Sequence, residues 1–327
     1  MCWKNSRASK CRLVAVCLPT VMAWVLISPS IAEAGMLYAA NAQGDVYQFT
    51  PTGSESLYYA NRLNGSGYLA FAPGGNLYIA ARISGAVYSI SLTGAVSTFA
   101  TGLYFPQGIA VNASGDVFVS EESPVSNIVE FTPAGVESTF ATGLDQPAGL
   151  AVDSHGNLFA SDENLNVIYE YAPNGSRTTF ATGLSDPLGL AFATNGNLFE
   201  ADFGTNGVNE FTPAGVRSTF ATVLEAPEDV ALDPSGNVYE ADAGSENVYM
   251  FTASGVRSNF AAVTAVTAVA FGPVPEPSTW LLATIGSGGL WFARWGRRRP
   301  STDPSIPPSR RFHASFHFDW PTIPQPE

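Results

Sequence analysis

Short apolar runs separated by Gly- and Asn-rich turns fill the chain from residue 35 onward, and residues 147–184 show the pattern most clearly. Residues 149–153 read as a short buried strand, 154–156 as a turn, 157–161 as a second strand and 162–166 as a loop. Residues 167–171 make a third strand, with Ile168 and Glu170 on one side and Val167, Tyr169 and Tyr171 on the other. A turn at 173–175 then leads into a fourth strand at 177–181. A unit of four short strands cannot bury both of its faces alone and has to stack on neighbours.

The unit repeats. The phrase Ser-Thr-Phe-Ala-Thr-Gly-Leu at 97–103 returns at 138–144, with changes at 178–184 and 218–224, and degraded at 258–264. Its anchoring aromatic falls at Tyr59, Phe99, Phe140, Phe180, Phe220 and Phe260, spaced by 40, 41, 40, 40 and 40 residues. Glycine recurs ahead of the second strand at Gly35, Gly75, Gly115, Gly156, Gly196 and Gly236, which makes six copies. Six first strands are reached only if the last is 266–271 and none precedes Gly35. The expectation is an all-β, six-bladed β-propeller of four-stranded blades, closed where residues 266–271 pair with 35–41 and complete the first blade.

Charge narrows the range of partners. Between Gly35 and Gly272 there are 23 Asp or Glu, five Arg and no Lys, a surface unsuited to nucleic acid. The three cysteines, Cys2, Cys11 and Cys17, precede the repeats, and His155, in a turn on the face opposite the site considered below, is the one histidine within them. A Ser-His-Asp triad, a Cys-His pair, a Schiff-base lysine or a His-rich zinc site each requires residue types the repeats largely lack.

The two ends carry addresses. Residues 1–34 read as a secretory signal: Lys4, Arg7, Lys10 and Arg12, then a mostly apolar stretch, then Ala32-Glu33-Ala34 before a cut ahead of Gly35. A retained membrane anchor is the alternative. Beyond the propeller, assigned to 35–273, come Pro275, Glu276 and Pro277, an apolar run at 278–293, and a basic cluster that includes Arg297, Arg298 and Arg299. That order resembles the PEP-CTERM sorting signal of Gram-negative bacteria, at 274–299, against the alternative of a stop-transfer anchor. The resemblance implies an exosortase-type membrane enzyme as partner, transient inner-membrane anchorage through the short helix, and delivery to the outer envelope, cell surface or extracellular matrix. Residues 300–327 continue as a disordered Pro-rich tail, a departure from signals that normally end the protein.

The phrasing Pro-x-Gly-Leu-Ala-Val-Asp, turn, Gly-Asn-Leu-Phe, seen at 147–159, is similar to the NHL repeat and to the gluconolactonase-like and streptogramin-lyase-like propellers. In such folds the loops from second to third and from fourth to first strands share one face. Second strands end there at Asn41, Glu121, Asp162, Asp202 and Asp242, with Ala81 breaking the ring, and Glu200 and Glu240 lie two residues inward. First strands begin there with Gln107, Ala148, Leu188 and Glu228, the last followed by Asp229 where other blades carry Gly.

A carboxylate-rich mouth of this kind suits Ca²⁺ or Mg²⁺. The alternative is that the recurring Asp is part of the repeat, bonding loop amides. Glu200, Glu228, Asp229 and Glu240 break the repeat and are the better site candidates. The reading favoured by these residues is a non-catalytic, exported propeller that binds protein, glycan or a divalent cation. The competing reading, implied by the family resemblance, is a metal-dependent lactonase- or lyase-like enzyme with a carboxylate-bound cation in the channel. A matrix scaffold without a discrete ligand is the third.

Overall fold

The computed structural model describes residues 35–59, 65–122 and 124–272 and arranges them as six four-stranded antiparallel sheets. The signal, the sorting motif with Pro275, Glu276, Pro277, Arg297, Arg298 and Arg299, its apolar run and the tail lie outside the described residues. Among the described residues no helix is long and apolar enough to cross a membrane.

Blades 2 to 6 each run outward in chain order from an innermost strand: Ser66–Phe71, Pro106–Val111, Pro147–Val152, Pro187–Phe192 and Pro227–Leu232. Blade 1 has its innermost strand at the other end of the chain. Val266–Gly272 pairs with Met36–Asn41, from Met36 opposite Gly272 to Asn41 opposite Val266. This is the expected closure, and it leaves each of the six innermost strands against the next around a ring.

The recurring Phe explains why the phrase repeats. Phe140 meets Phe118 of its own blade edge to face at 5.0 Å and reaches Tyr171 of the next blade at 5.7 Å. Phe180 repeats this with Phe159 and Phe211, and Phe220 with Phe199 and Phe251. Each such ring bolts two blades together, adding a geometric preference to the burial of its area. The arginines of the fourth strands strengthen the same seams: Arg177, Arg217 and Arg257 donate to the carbonyls of Gly143, Gly183 and Val223 of the preceding blade.

Around the axis the innermost strands crowd. A Cβ on Gly108 would run into the carbonyl of Ala148, and one on Gly149 into that of Leu188, so these positions admit only glycine. Ser120 and Ser161 close the polar gap beside them. Ser161 accepts from Gly149 N–H at 2.8 Å and donates to Leu188 C=O at 2.7 Å, and Ser120 does the same for Gly108 and Ala148.

Candidate functional site

The ring brings together residues about 40 positions apart. At the channel mouth the second residue of each innermost strand forms an inner circle that includes Gly67, Gln107, Leu188, Glu228 and Thr267. The residue after each second strand forms an outer circle that includes Ala42, Arg82, Glu122, Glu163 and Phe203. Together with Tyr68, Ile83 and Gln146 they line a cavity of about 400 Å³.

Tyr68 floors this cavity. It occupies the register position held by glycine in blades 3 to 5, and its phenol donates to the backbone carbonyl of Glu228 at 2.8 Å, linking blade 2 to blade 6. On the other side of Tyr68 a smaller space of about 220 Å³ is lined by Leu69, Ile109, Leu150, Leu190, Val230 and Val269, one from each innermost strand. The channel therefore has a mouth lined by charged side chains and a lower space lined by aliphatic side chains and Asp229, with a phenol between them.

In the mouth, Arg82 donates through Nε and Nη2 to both oxygens of Glu122, at 2.7 and 2.6 Å. Gln146 donates to Glu163 at 2.6 Å. Among the described residues the Glu228 carboxylate accepts no hydrogen bond; burial, and then the Glu163 charge, push its pKa up to about 7.

The other sequence-predicted residues are dispersed. Asp162 accepts backbone N–H from Asp145, Gln146 and Leu165 at 2.9 to 3.3 Å. Asp242 does so from Glu225, Ala226 and Ser245, and Asp202 from Ser185 and Thr205. Glu121 accepts from Tyr104 N–H at 2.7 Å, and Asn41 from Asp45 N–H at 2.9 Å. These contacts tie together the loops on the mouth face, and none of the five lines the cavity.

Strand alternation sends the two inward glutamates into seams. Glu200 shares its face with Leu198, toward blade 4; Asn209 donates to it at 2.9 Å, one oxygen stays unpartnered, and burial drives its pKa to about 8. Glu240 shares its face with Val238, toward blade 5; neither oxygen has a partner, and burial with the Asp242 and Asp229 charges raises it well above the carboxylate range. Asp229 reaches across to the closing strand, accepting Val230 N–H at 2.9 Å and Val269 N–H at 3.0 Å, and burial still holds its pKa well above normal.

Of the sequence-predicted carboxylates, then, Glu228 alone lines the cavity; Gln107 and Leu188, which the sequence also placed at the mouth, line it too. Arg82, Glu122, Glu163 and Gln146 were not singled out from the sequence. The signal was available: Ala42, Arg82, Glu122, Glu163, Phe203 and Ala243 occupy one repeat position, immediately after the second strand, and vary from alanine to charged and aromatic side chains. Among the described residues no three His, Cys, Asp or Glu side chains converge as a metal site would require.

Comparison with known proteins agrees with this architecture. Residues 273–299 match the PEP-CTERM protein-sorting motif. Among curated proteins no sequence matches the chain. Similar solved structures include a chain of a nidogen/laminin complex, at 21% identity and TM-score 0.66, covering 74% of this chain and 99% of that one. A streptogramin B lyase matches at 15% identity and TM-score 0.58, over 74% of this chain and 89% of the lyase. A gluconolactonase from Xanthomonas campestris matches at 18% identity and TM-score 0.56, over 72% and 88%. At such identities the likeness establishes the fold. The chain is a six-bladed β-propeller, and its PEP-CTERM motif marks it as an exported protein and a target of an exosortase-type enzyme.

Proposed function

We propose that this exported propeller is a non-catalytic binding module of the outer cell envelope or extracellular matrix, and that its ligand enters the mouth lined by Arg82, Glu122, Glu163 and Glu228. The observation that carries this reading is the cavity itself. It is concave, mixed in polarity and built at repeat positions whose residues differ from blade to blade. The Tyr68 floor limits a ligand to the upper half of the channel.

The lactonase-like alternative calls for carboxylates gathered about one cation. Glu200, Glu240 and Asp229 are directed instead to two seams and a neighbouring strand, which favours binding over hydrolysis. The purified protein titrated calorimetrically with oligosaccharides, with peptides and with Ca²⁺ or Mg²⁺ tests the proposal. Saturable binding weakened by Arg82→Ala or Glu163→Gln, without lactone hydrolysis, is expected. Cation-dependent lactone hydrolysis lost in Glu228→Gln would overturn it. A saturable, cation-specific rise in thermal midpoint would identify a divalent ion as the ligand.

A further inference from the structure

We propose that the mouth recognises an organic cation: the lysine- or arginine-type side chain of a protein partner, held by Glu228 and Glu163. The inference rests on the mouth being a binding site and names the chemistry it selects.

Several groups in the mouth that still lack partners are acceptors. Gln107 lies with its amide against the Tyr68 phenol, and its Oε1 is shut from solvent and accepts no hydrogen bond. The Glu228 carboxylate likewise accepts none among the described residues, and Glu163 is bonded on one oxygen, by neutral Gln146. Among the described residues the one cation lining the cavity, Arg82, gives its Nε and Nη2 edge to both oxygens of Glu122. A ligand that satisfies the two carboxylates brings N–H donors and positive charge; a neutral or anionic ligand leaves Glu163 and Glu228 near each other with Arg82, already paired to Glu122, to offset them.

The walls fit the rest of such a side chain. Leu188, Phe203 and Ile83 line the same cavity and offer apolar surface to an aliphatic stem below which the charged head meets the carboxylates. Tyr68 closes the cavity underneath.

The surroundings favour a protein as the source of that side chain. Ile83, Tyr104, Phe105, Leu165 and Phe203 are largely exposed apolar residues on the loops of the mouth face. Exposed apolar side chains gathered on one face mark a surface suited to contact with a protein. The strongly acidic repeats, with 23 Asp or Glu against five Arg, steer a basic partner toward it.

The test is calorimetric titration of the purified protein with a short lysine-containing peptide and with the same peptide N-acetylated on the lysine. The lysine peptide is expected to bind at least about tenfold more tightly than its acetylated twin. Glu228→Gln and Glu163→Gln are each expected to weaken it by a similar factor without lowering the thermal midpoint, and Glu228→Asp to restore part of the loss. Equal binding of both peptides would overturn the cation inference and leave the mouth as a binding site. Lysine binding indifferent to both variants would place it elsewhere on the acidic surface and overturn the inference too. If neither peptide binds but an oligosaccharide does, in a manner lost in Arg82→Ala, the inference fails and the proposed function stands. Failure of every ligand removes both.

Discussion

Blades 3 and 4 and blades 5 and 6 share one architecture and treat buried polar atoms in opposite ways. In blades 3 and 4 a serine, Ser120 or Ser161, sits where two innermost strands crowd, and its hydroxyl both accepts and donates. In blades 5 and 6 that position is Ala201 or Ala241, and the buried polar groups are carboxyls, Glu200, Glu240 and Asp229. An ionised carboxylate only accepts. In that form it can close a gap with N–H groups, as Asp229 does with Val269, but it must take up a proton before it can also satisfy a carbonyl. The serine seams are therefore neutral and pH-independent, and the carboxyl seams hold protons that the unfolded chain would release.

Several experiments sharpen or break that contrast. The largest expected effect is on the pH dependence of stability. Glu200, at about 8, and Glu228, at about 7, are raised above the ordinary 4.5, and Glu240 and Asp229 are raised as well. Between the unfolded and folded values the native state binds more protons, so the stability they contribute is full below pH about 4.5 and falls as pH rises through about 7 and 8. Denaturant unfolding at acid, neutral and alkaline pH is expected to show a loss of several kcal/mol toward the alkaline end. A flat profile would mean that these carboxyls are solvated.

Next in size is Glu240→Leu. Removing a carboxyl with no partner on either oxygen is expected to stabilise by about 1–4 kcal/mol near pH 8 and to reduce the pH slope, read from the denaturant midpoint. Ser161→Ala is expected to do the reverse, costing about 1–3 kcal/mol by stranding Gly149 N–H and Leu188 C=O, with the pH slope unchanged. If Ser161→Ala altered the slope, the two kinds of seam would be coupled.

The smallest effect concerns the mouth. Around Glu228 stand Glu163, Arg82 with Glu122, Asp229 and Tyr68, and a cation binds the ionised form of Glu228. Affinity for the lysine peptide is expected to rise by up to about tenfold per pH unit below about 7 and to level off above it. The proton released on binding is measurable by calorimetry in buffers of different ionisation enthalpy.

Much of the fold was legible in the chain because each blade is locally encoded. Turn glycines, two-residue alternation and a spacing near 40 mark the four strands of every unit, and counting copies of the first and second strands reveals the ring closure. The site was less legible. Glu228 and Asp229 stood out as departures from the repeat and are neighbours in sequence, yet one lines the mouth and the other staples blade 6 to the closing strand. Glu200 and Glu240 stood out equally, but they share parity with Leu198 and Val238, and alternation carries them into seams. Arg82 was one of five arginines in the repeats. Its distinction emerges only once Arg177, Arg217 and Arg257 are seen to be tied to carbonyls of the preceding blade.

The sequence by itself determined the repeat, the number and order of strands and the PEP-CTERM motif, since each rests on short-range patterns, and counting the copies gave the closing strand. The tertiary structure alone decided that Tyr68 reaches from blade 2 to the Glu228 carbonyl of blade 6, 160 residues away, and so stands between the mouth and the lower space. It also decided that Arg82, Glu122, Glu163 and Glu228 share one cavity. A repeat specifies where each residue sits within its blade. Which residues from different blades meet is set by closing the ring, because only then do equivalent positions converge on one axis.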